Sequence, residues 1–361
     1  MPDVSEIMAA LDAIAPQHLC VDGDPRGLLL GDPQAEVARL VVCLDVTPAV
    51  AEHARAVGAR MIVSHHPLIY NPLKRILASE PHPGGVVLSC IKGDIAVACA
   101  HTNWDIADGG VNDVLAGLLG LQECRPVQTT YREPLVNITV YVPVEDSESV
   151  WNEMANAGAG HLPGLNYDRC GFWGEGMGTF RPLPGAKPYE GVVGVVSRVD
   201  EYRIESITPT QKVPAVLAAM RKAHPYEEVA YNVFPLSNTG REWGLGRIGT
   251  LPAAITPAEL IERTKSALHF DAVRLVGPAD KPIRTVAVGG GACAFLVPDA
   301  IRLGADALIT SDVRHHEYVD AAARGFVLVD AGHAETETPG ARELAERLRT
   351  ALPAVAVHFA A

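Results

Sequence analysis

The sequence predicts an α/β core domain, mostly parallel sheet layers with helices, interrupted by an inserted ferredoxin-like α+β domain. Three observations carry this. Two separated segments share one grammar, in which a short run rich in Val, Ile or Leu ends on a polar residue and an Ala-rich helical stretch usually follows. Helix-start signals punctuate those runs. The segment between them orders its elements differently.

In the first segment the apolar runs are LVVCLD (40–45), RMIVSHH (60–66) and IAVACAHTNWD (95–105). In the last they are IRTVAVGGG (283–291), ADALITSD (305–312) and GFVLVDAGH (325–333). Such runs read as strands buried on both faces and alternating with helices. Val4, Ile7, Met8, Leu11 and Ile14 follow helical spacing near the N-terminus. Thr47-Pro48 supplies an N-cap and an N1 proline, with Gly58 at the far end. Thr256-Pro257-Ala258-Glu259 spells a capping box. Thr338-Pro339 opens a helix through ARELAERLRTAL, which leaves His333 and Glu337 on the loop before it. In the middle, VNITVYVPV (136–144) reads as a strand and SESVWNEMANAGA (147–159) as a helix. RCGFWGEGMGTFRPLPG (169–185) is rich in glycine, aromatics and turns. VDEYRIESITP (199–209) is a strand, TQKVPAVLAAMRKA (210–223) a helix and VAYNVFPL (229–236) a strand. That order suits a ferredoxin-like unit. The expected division is a core of 1–126 plus 241–361 and an insert of 127–240, since surface loops with close ends tolerate insertions.

A chain of 361 residues exceeds one average domain, and 48% hydrophobic residues suffice for real cores. Lys and Arg total 30 against 43 Asp and Glu, a net charge of -13. Such a chain repels a phosphate backbone, so nucleic acid is not an expected partner. No apolar stretch approaches the ~20 residues of a membrane span. The N-terminus lacks the basic and apolar regions of a signal peptide. A cytoplasmic protein without a membrane partner is expected. The seven cysteines (20, 43, 90, 99, 124, 170, 293) are scattered and never spaced CxxC, so buried reduced thiols are expected.

Ligands of open α/β sheets bind beyond the carboxyl ends of strands. Those ends carry Asp45, His65 and His66, His101 and Asp105, the glycines 289–291, Asp312, and His333 with Glu337, on one predicted rim. Imidazole nitrogen and carboxylate oxygen suit Zn, Fe, Mn or Ni. His65, His66, Asp105, His333 and Glu337 make five ligands, where a mononuclear catalytic site takes three plus water. Five ligands with bridging carboxylates call for two metal ions, which can activate a shared water and clamp an anionic substrate. Adjacent histidines on a regular strand point to opposite faces. They can share a site only if the strand ends there, and Pro67 favours an end. Residue types alone leave alternatives: Asp105 as a loop cap, Glu335 in place of Glu337, and His101 as either support or structure. The glycine triplet could cradle a phosphate, though a tight turn suits it better. Lys74, Arg75 and Arg314 could hold an anion or be solvated surface cations. The remaining histidines (18, 53, 82, 161, 224, 269, 358) lie off the strand ends.

HHPLIYNPLKRI, AHTNWDIADGGVNDVLAGLLGL, NYDRCGFWGEGMGTF, HPYEEVAYNVFPL, GLGRIGTL, ITSDVRHHEYVDA and VDAGHAETE together resemble a known family. Nearly the whole chain is similar to the YbgI/YqfO-like dinuclear metal-centre proteins, the GTP cyclohydrolase 1 type 2 homologues. The resemblance implies two divalent metal ions per subunit, held by His65, His66, Asp105, His333 and Glu337, which favours Glu337 over Glu335. It implies that Asp312 and His316 are a catalytic polar pair near the site, able to move protons. It implies a PII-like or CutA-like insert, and a ring-shaped homohexamer whose sites face an internal cavity. The implied activity is a metal-dependent hydrolase acting on a small anionic substrate, nucleotide-like or phosphorylated. The alternative is a non-catalytic metal-binding or regulatory ring whose insert senses a small molecule. Two departures stand out. VDGDPRGLLLGD (21–32) lacks the family's tryptophan, and Ser311 stands where a glycine usually precedes Asp312.

Overall fold

The computed structural model describes residues 1–80, 82–162 and 165–361. In chain order these form α1 (Val4–Ile14), β1 (Gly27–Leu30), β2 (Arg39–Cys43), α2 (Pro48–Ala56), β3 (Met61–Ser64), α3 (Gly84–Lys92), β4 (Ala96–Cys99), α4 (Thr102–Ile106) and α5 (Val111–Leu118). There follow β5 (Gln122–Pro143), α6 (Ser147–Asn156), β6 (Phe172–Phe180), β7 (Ser197–Pro209), α7 (Val213–Ala223) and β8 (Tyr231–Ile255). The chain closes with α8 (Pro257–Leu268), β9 (Arg274–Val276), β10 (Ile283–Val288), α9 (Val297–Arg302), β11 (Ala307–Thr310), α10 (His315–Ala323), β12 (Val327–Asp330), α11 (His333–Ala351) and β13 (Ala356–Ala360). It divides into two compact units, Met1–Thr130 with Trp243–Ala361, and Tyr131–Glu242. No helix among the described residues is long and apolar enough to cross a membrane.

The first unit holds the strand runs read from the sequence, but they pair in two sheets. One has the order β1-β4-β3-β2-β13. Its parallel strands β13, β2, β3 and β4 are flanked by antiparallel β1. All four residues of β3 and of β4 are buried, as expected of strands covered on both faces. Val50 and Ala54 of α2 with Val86 and Cys90 of α3 pack on one face, and α11 packs on β2 and β13. In the other sheet β10, β11 and β12 run parallel, with β8 and β9 antiparallel at their sides. Leu115 of α5 and Leu260 of α8 share its core with Val286, Ile309 and Val329. The sequence places all these strand ends on one rim; strands of identical apolar grammar do not specify which of them pair, and the chain uses two sheets.

Helix starts follow the local chemistry. Asp3 and Glu6 form a capping box on α1, Thr47 caps α2, and Thr256 with Glu259 boxes α8. The last long helix departs from expectation. It begins at His333 after Gly332, and Thr338-Pro339 lies inside it. Proline there forfeits only the hydrogen bond to the Glu335 carbonyl, while Glu337, Ala341, Leu344 and Leu348 bury one continuous face. Packing of that face outweighs the local proline signal.

In the second unit the elements follow strand, α6, β6, β7, α7, strand, and the strand order is β6-β7-β5-β8. Ile138, Val140, Val142 and Ile204 pack under Val150, Trp151 and Met154 of α6 and Val216 and Met220 of α7. The Gly-rich stretch holds the strand β6, paired antiparallel with β7 from Phe172↔Glu205 to Phe180↔Ser197. A ladder bonds through the backbone, so missing side chains do not prevent it.

Candidate metal centre

Strand β3 ends at Ser64, before either histidine. The His65 and His66 amides donate to the Cys43 and Leu44 carbonyls at 3.0 and 2.9 Å, which holds the departing chain beside β2. Freed from strand alternation, both imidazoles turn to one side, ring centroids 5.1 Å apart. His101 follows β4, and Asp105 lies one turn on in α4. His333 and Glu337, four residues apart, share a face of the first turns of α11.

Each of four imidazoles has its Nδ1–H fixed by an acceptor. His65 donates to the Ala100 carbonyl at 2.9 Å, His66 to Asp45 at 2.9 Å, His333 to Asp312 at 2.7 Å and His101 to Asp24 at 2.9 Å. The Nε2 atoms of His65, His66 and His333 are thereby left for the interior. This is how ligating histidines are usually oriented, by a hydrogen bond on the far nitrogen.

Glu337, 4% exposed, stands between two groups. Its Oε1 lies 3.8 Å from His65 Nε2, which is itself 3.6 Å from Asp105 Oδ1. Its Oε2 lies 2.8 Å from His66 Nε2 and 3.0 Å from His333 Nε2, and those two nitrogens are 3.3 Å apart. Ligands bound at about 2.1 Å in a tetrahedron are separated by about 3.4 Å. Both groups fall near that spacing. His65, His66 and His101 likewise bring one ligand atom each within 4.8 Å of one another. His65 Nε2 and Asp105 Oδ1 are buried without a hydrogen-bond partner among the described residues. An orphaned nitrogen facing an orphaned carboxylate oxygen in the interior is costly unless a cation lies between them, so the residues fit a metal.

The electrostatics agree. Burial raises the Asp105 carboxyl to about 6. Burial also opposes charge on His66, but hydrogen bonds to Asp45 and Glu337 outweigh it and lift the ring to about 10. The Glu337 hydrogen bond lifts His333 to about 9 against its own partial burial. Glu337 is buried too, yet His333, His65 and His66 hold it far below the usual carboxylate range. Without metal, protons occupy this cluster.

The glycine triplet serves the site by getting out of its way. Its amides are taken: Gly289 donates to Ile309, Gly290 to Asn112 Oδ1 at 2.9 Å and Gly291 to Thr336 Oγ1 at 3.0 Å. Gly291 has φ +65°, and a Cβ there would overlap Glu337 Oε1 and stand 3.1 Å from His333 Nε2. Asn112 also donates to the Asp105 carbonyl at 2.9 Å, tying α4 to the β10 loop. Asn112, Thr336 and Asp24 carry no sequence signal of their own; each matters through a partner remote in the chain. Asp312 is exposed and buttresses His333. His316 is exposed in the first turn of α10 and belongs to none of the ligand groups. Glu335 is likewise outside them. Lys74 and Arg314 are exposed, and Arg75 pairs with Glu80. The seven cysteines are free thiols, with Cys124 and Cys170 exposed and the other five buried.

The family model described as Duf34/NIF3 (NGG1p interacting factor 3) matches residues 2–361. A Bacillus subtilis protein named GTP cyclohydrolase 1 type 2 homolog is 42% identical over 328 residues, covering 91% of this chain and 87% of its own length. The crystal structure of a Bacillus cereus protein related to NIF3 superposes with a TM-score of 0.92 at 40% identity, over 99% of this chain and 96% of that one. The Staphylococcus aureus protein SA1388 gives 0.79 at 25% identity, over 99% and 96%. The chain belongs to the Duf34/NIF3 family.

Proposed function

We propose that this protein holds two divalent metal ions and is a metal-dependent hydrolase of a nucleotide-like or phosphorylated small molecule. One observation carries it: a single buried carboxylate, Glu337, offers one oxygen to His65 and Asp105 and the other to His66 and His333. His65, Asp105 and Glu337 would hold one ion, and His66, His333 and Glu337 the other. With nitrogen and carboxylate donors the ions are Zn, Fe, Mn or Ni. A bound pair supplies an activated water and a clamp for an anion.

The chain's own part is orientation. Asp45, Asp312 and the Ala100 carbonyl fix three ring tautomers. Asp24 fixes His101 against His65 and His66, ring centroids 5.4 and 5.8 Å away. His101 is thus placed to hold or pass a proton at the edge of the cluster. Asp312 acts through His333 as a positioning residue, and His316, exposed in the first turn of α10, is read as the other member of the proton-moving pair. A chain of net charge -13 repels anions, so an anionic substrate is drawn only by the loaded centre. The names of relatives such as the Bacillus subtilis protein support the nucleotide class. The second unit is read as a ferredoxin-like, PII/CutA-like insert, and the protein as a cytoplasmic homohexamer.

Purified protein loaded with Zn, Mn or Fe is offered GTP, other nucleotides and phosphoesters. Metal-dependent product that vanishes in Asp105→Asn is the expected result. Stoichiometric metal with no turnover across the panel would overturn the hydrolase and leave a metal-binding ring protein.

A further inference from the structure

In the unit Tyr131–Glu242, strand β6 reads FWGEGMGTF, with glycine at 174, 176 and 178. Alternate residues share a face, so the three form a stripe. On the other face Trp173 packs against Trp151 and Tyr202, with ring centroids 6.4 and 5.4 Å apart, while Glu175 and Met177 are exposed. None of the three glycines has a positive φ. A Cβ on Gly174 or Gly176 would meet nothing closer than 3.7 Å. Neither backbone conformation nor packing within the chain demands glycine there. Interior glycines weaken a strand, and they mark places where a ligand or another backbone comes close.

The stripe lies along a cavity of about 1120 Å³, just above the ~300–1,000 Å³ common for small-molecule sites. Glu201, paired across the ladder with Gly176, lines it and is 8% exposed. Its Oε1 accepts from the Tyr226 hydroxyl at 3.0 Å. Its Oε2 accepts no hydrogen bond among the described residues and occupies the space a Cβ on Gly178 would need. His224 does not supply a counter-charge. Its Nδ1 accepts from the Tyr226 amide at 3.1 Å and its Nε2 donates to the Tyr141 carbonyl at 3.0 Å, which is the neutral form. Arg203 also lines the cavity, but its guanidinium is paired with Glu205 at 3.0 Å. Phe180 and Tyr189 stand 5.9 and 6.2 Å from the Tyr226 ring. Glu175, Glu190, Glu227 and Glu228 add negative charge to the lining, against Arg181.

We infer that this cavity binds a protonated organic amine. Its ammonium group donates to Glu201 Oε2, and its methylene chain lies along the glycine stripe beside Phe180, Tyr189 and Tyr226. Charge-assisted hydrogen bonding and cation–π attraction are the forces such a site offers.

The test is calorimetric titration of the full chain with spermidine, with glutarate as the anionic control. Saturable binding of spermidine at one per chain and none of glutarate is expected. Glu201→Gln should weaken it at least tenfold. So should Tyr189→Leu, a residue exposed enough that folding is not at stake. Circular dichroism melts confirm the fold of both. Asp105→Asn should bind spermidine as the parent does, so failure of the metal assignment and failure of this one are distinguishable. Unsaturable or absent binding, parental affinity in Glu201→Gln, or loss in Asp105→Asn would each overturn the inference.

Discussion

Gly291→Ala tests whether the carboxylate position, rather than the mere presence of ligands, makes the centre. Two costs follow from the structure. Gly291 has φ +65°, where an L-residue pays roughly 1–2 kcal/mol. The added methyl would overlap Glu337 Oε1 and stand 3.1 Å from both Glu337 Cδ and His333 Nε2. Clearing it moves the carboxylate oxygen by about 1 Å. Metal sites tolerate about 0.2 Å in ligand distance, so affinity should fall by at least the roughly 10- to 100-fold seen when the support of a ligand is lost. Gly304→Ala is the control. It has φ +84° and nothing within 4 Å of a Cβ, so it bears the backbone cost without the clash. The assay is metal content by mass spectrometry after dialysis, beside melting temperature. Both variants should melt a few degrees lower, at roughly 2–4 °C per kcal/mol, and only Gly291→Ala should lose metal. Full occupancy in Gly291→Ala would refute the reasoning.

Three further outcomes are expected. Glu337→Gln should lower bound metal from two ions to none, whereas Asp105→Asn should lose only the ion beside His65; equal loss in both would contradict the shared carboxylate. Asp312→Asn should weaken metal at His333 about 10- to 100-fold with unchanged melting, since the Asp312 side chain is 58% exposed; unchanged affinity removes its positioning role. The pH dependence has a definite sign. His66 and His333, raised to about 10 and about 9, carry protons at neutral pH that metal must displace. Metal binding should release protons and tighten as pH rises towards 9, checked by calorimetry in buffers of different ionisation heat. Flat affinity from pH 6.5 to 9 speaks against it. In the metal-free fold the same two groups contribute stability that is complete below about 6.5. That contribution is lost as pH climbs through 9 and 10, so melting temperature should fall there.

What could be read from the sequence was local. The apolar part of each run stops within a residue of the end of β2, β3, β4 and β10 to β12, because a buried strand needs a continuous apolar string; the histidines quoted after it lie beyond the strand. The histidines and carboxylates following those runs are the ones that converge. What was illegible depends on partners far along the chain. Nothing in Gly289-Gly290-Gly291 says that Asn112 and Thr336 will take its amides. Nothing near Asp24 announces His101, 77 residues on. The start of α11 was misplaced because proline speaks only for its own turn, while the face that buries Glu337 spans the whole helix.

The two ligand groups differ in their access to water, and the difference sets a clock. His65, Asp105 and one oxygen of Glu337 lie in the interior, at 0%, 8% and 4% exposure. The side chains of His66 and His333 are 22% and 35% exposed. An ion between the latter can be reached by a competing chelator directly. The other leaves only after its neighbour has gone or the chain has opened. Chelation should therefore proceed in two phases, fast then slow. Brief treatment would leave a protein with one ion per chain, a preparation in which the part played by each can be studied separately.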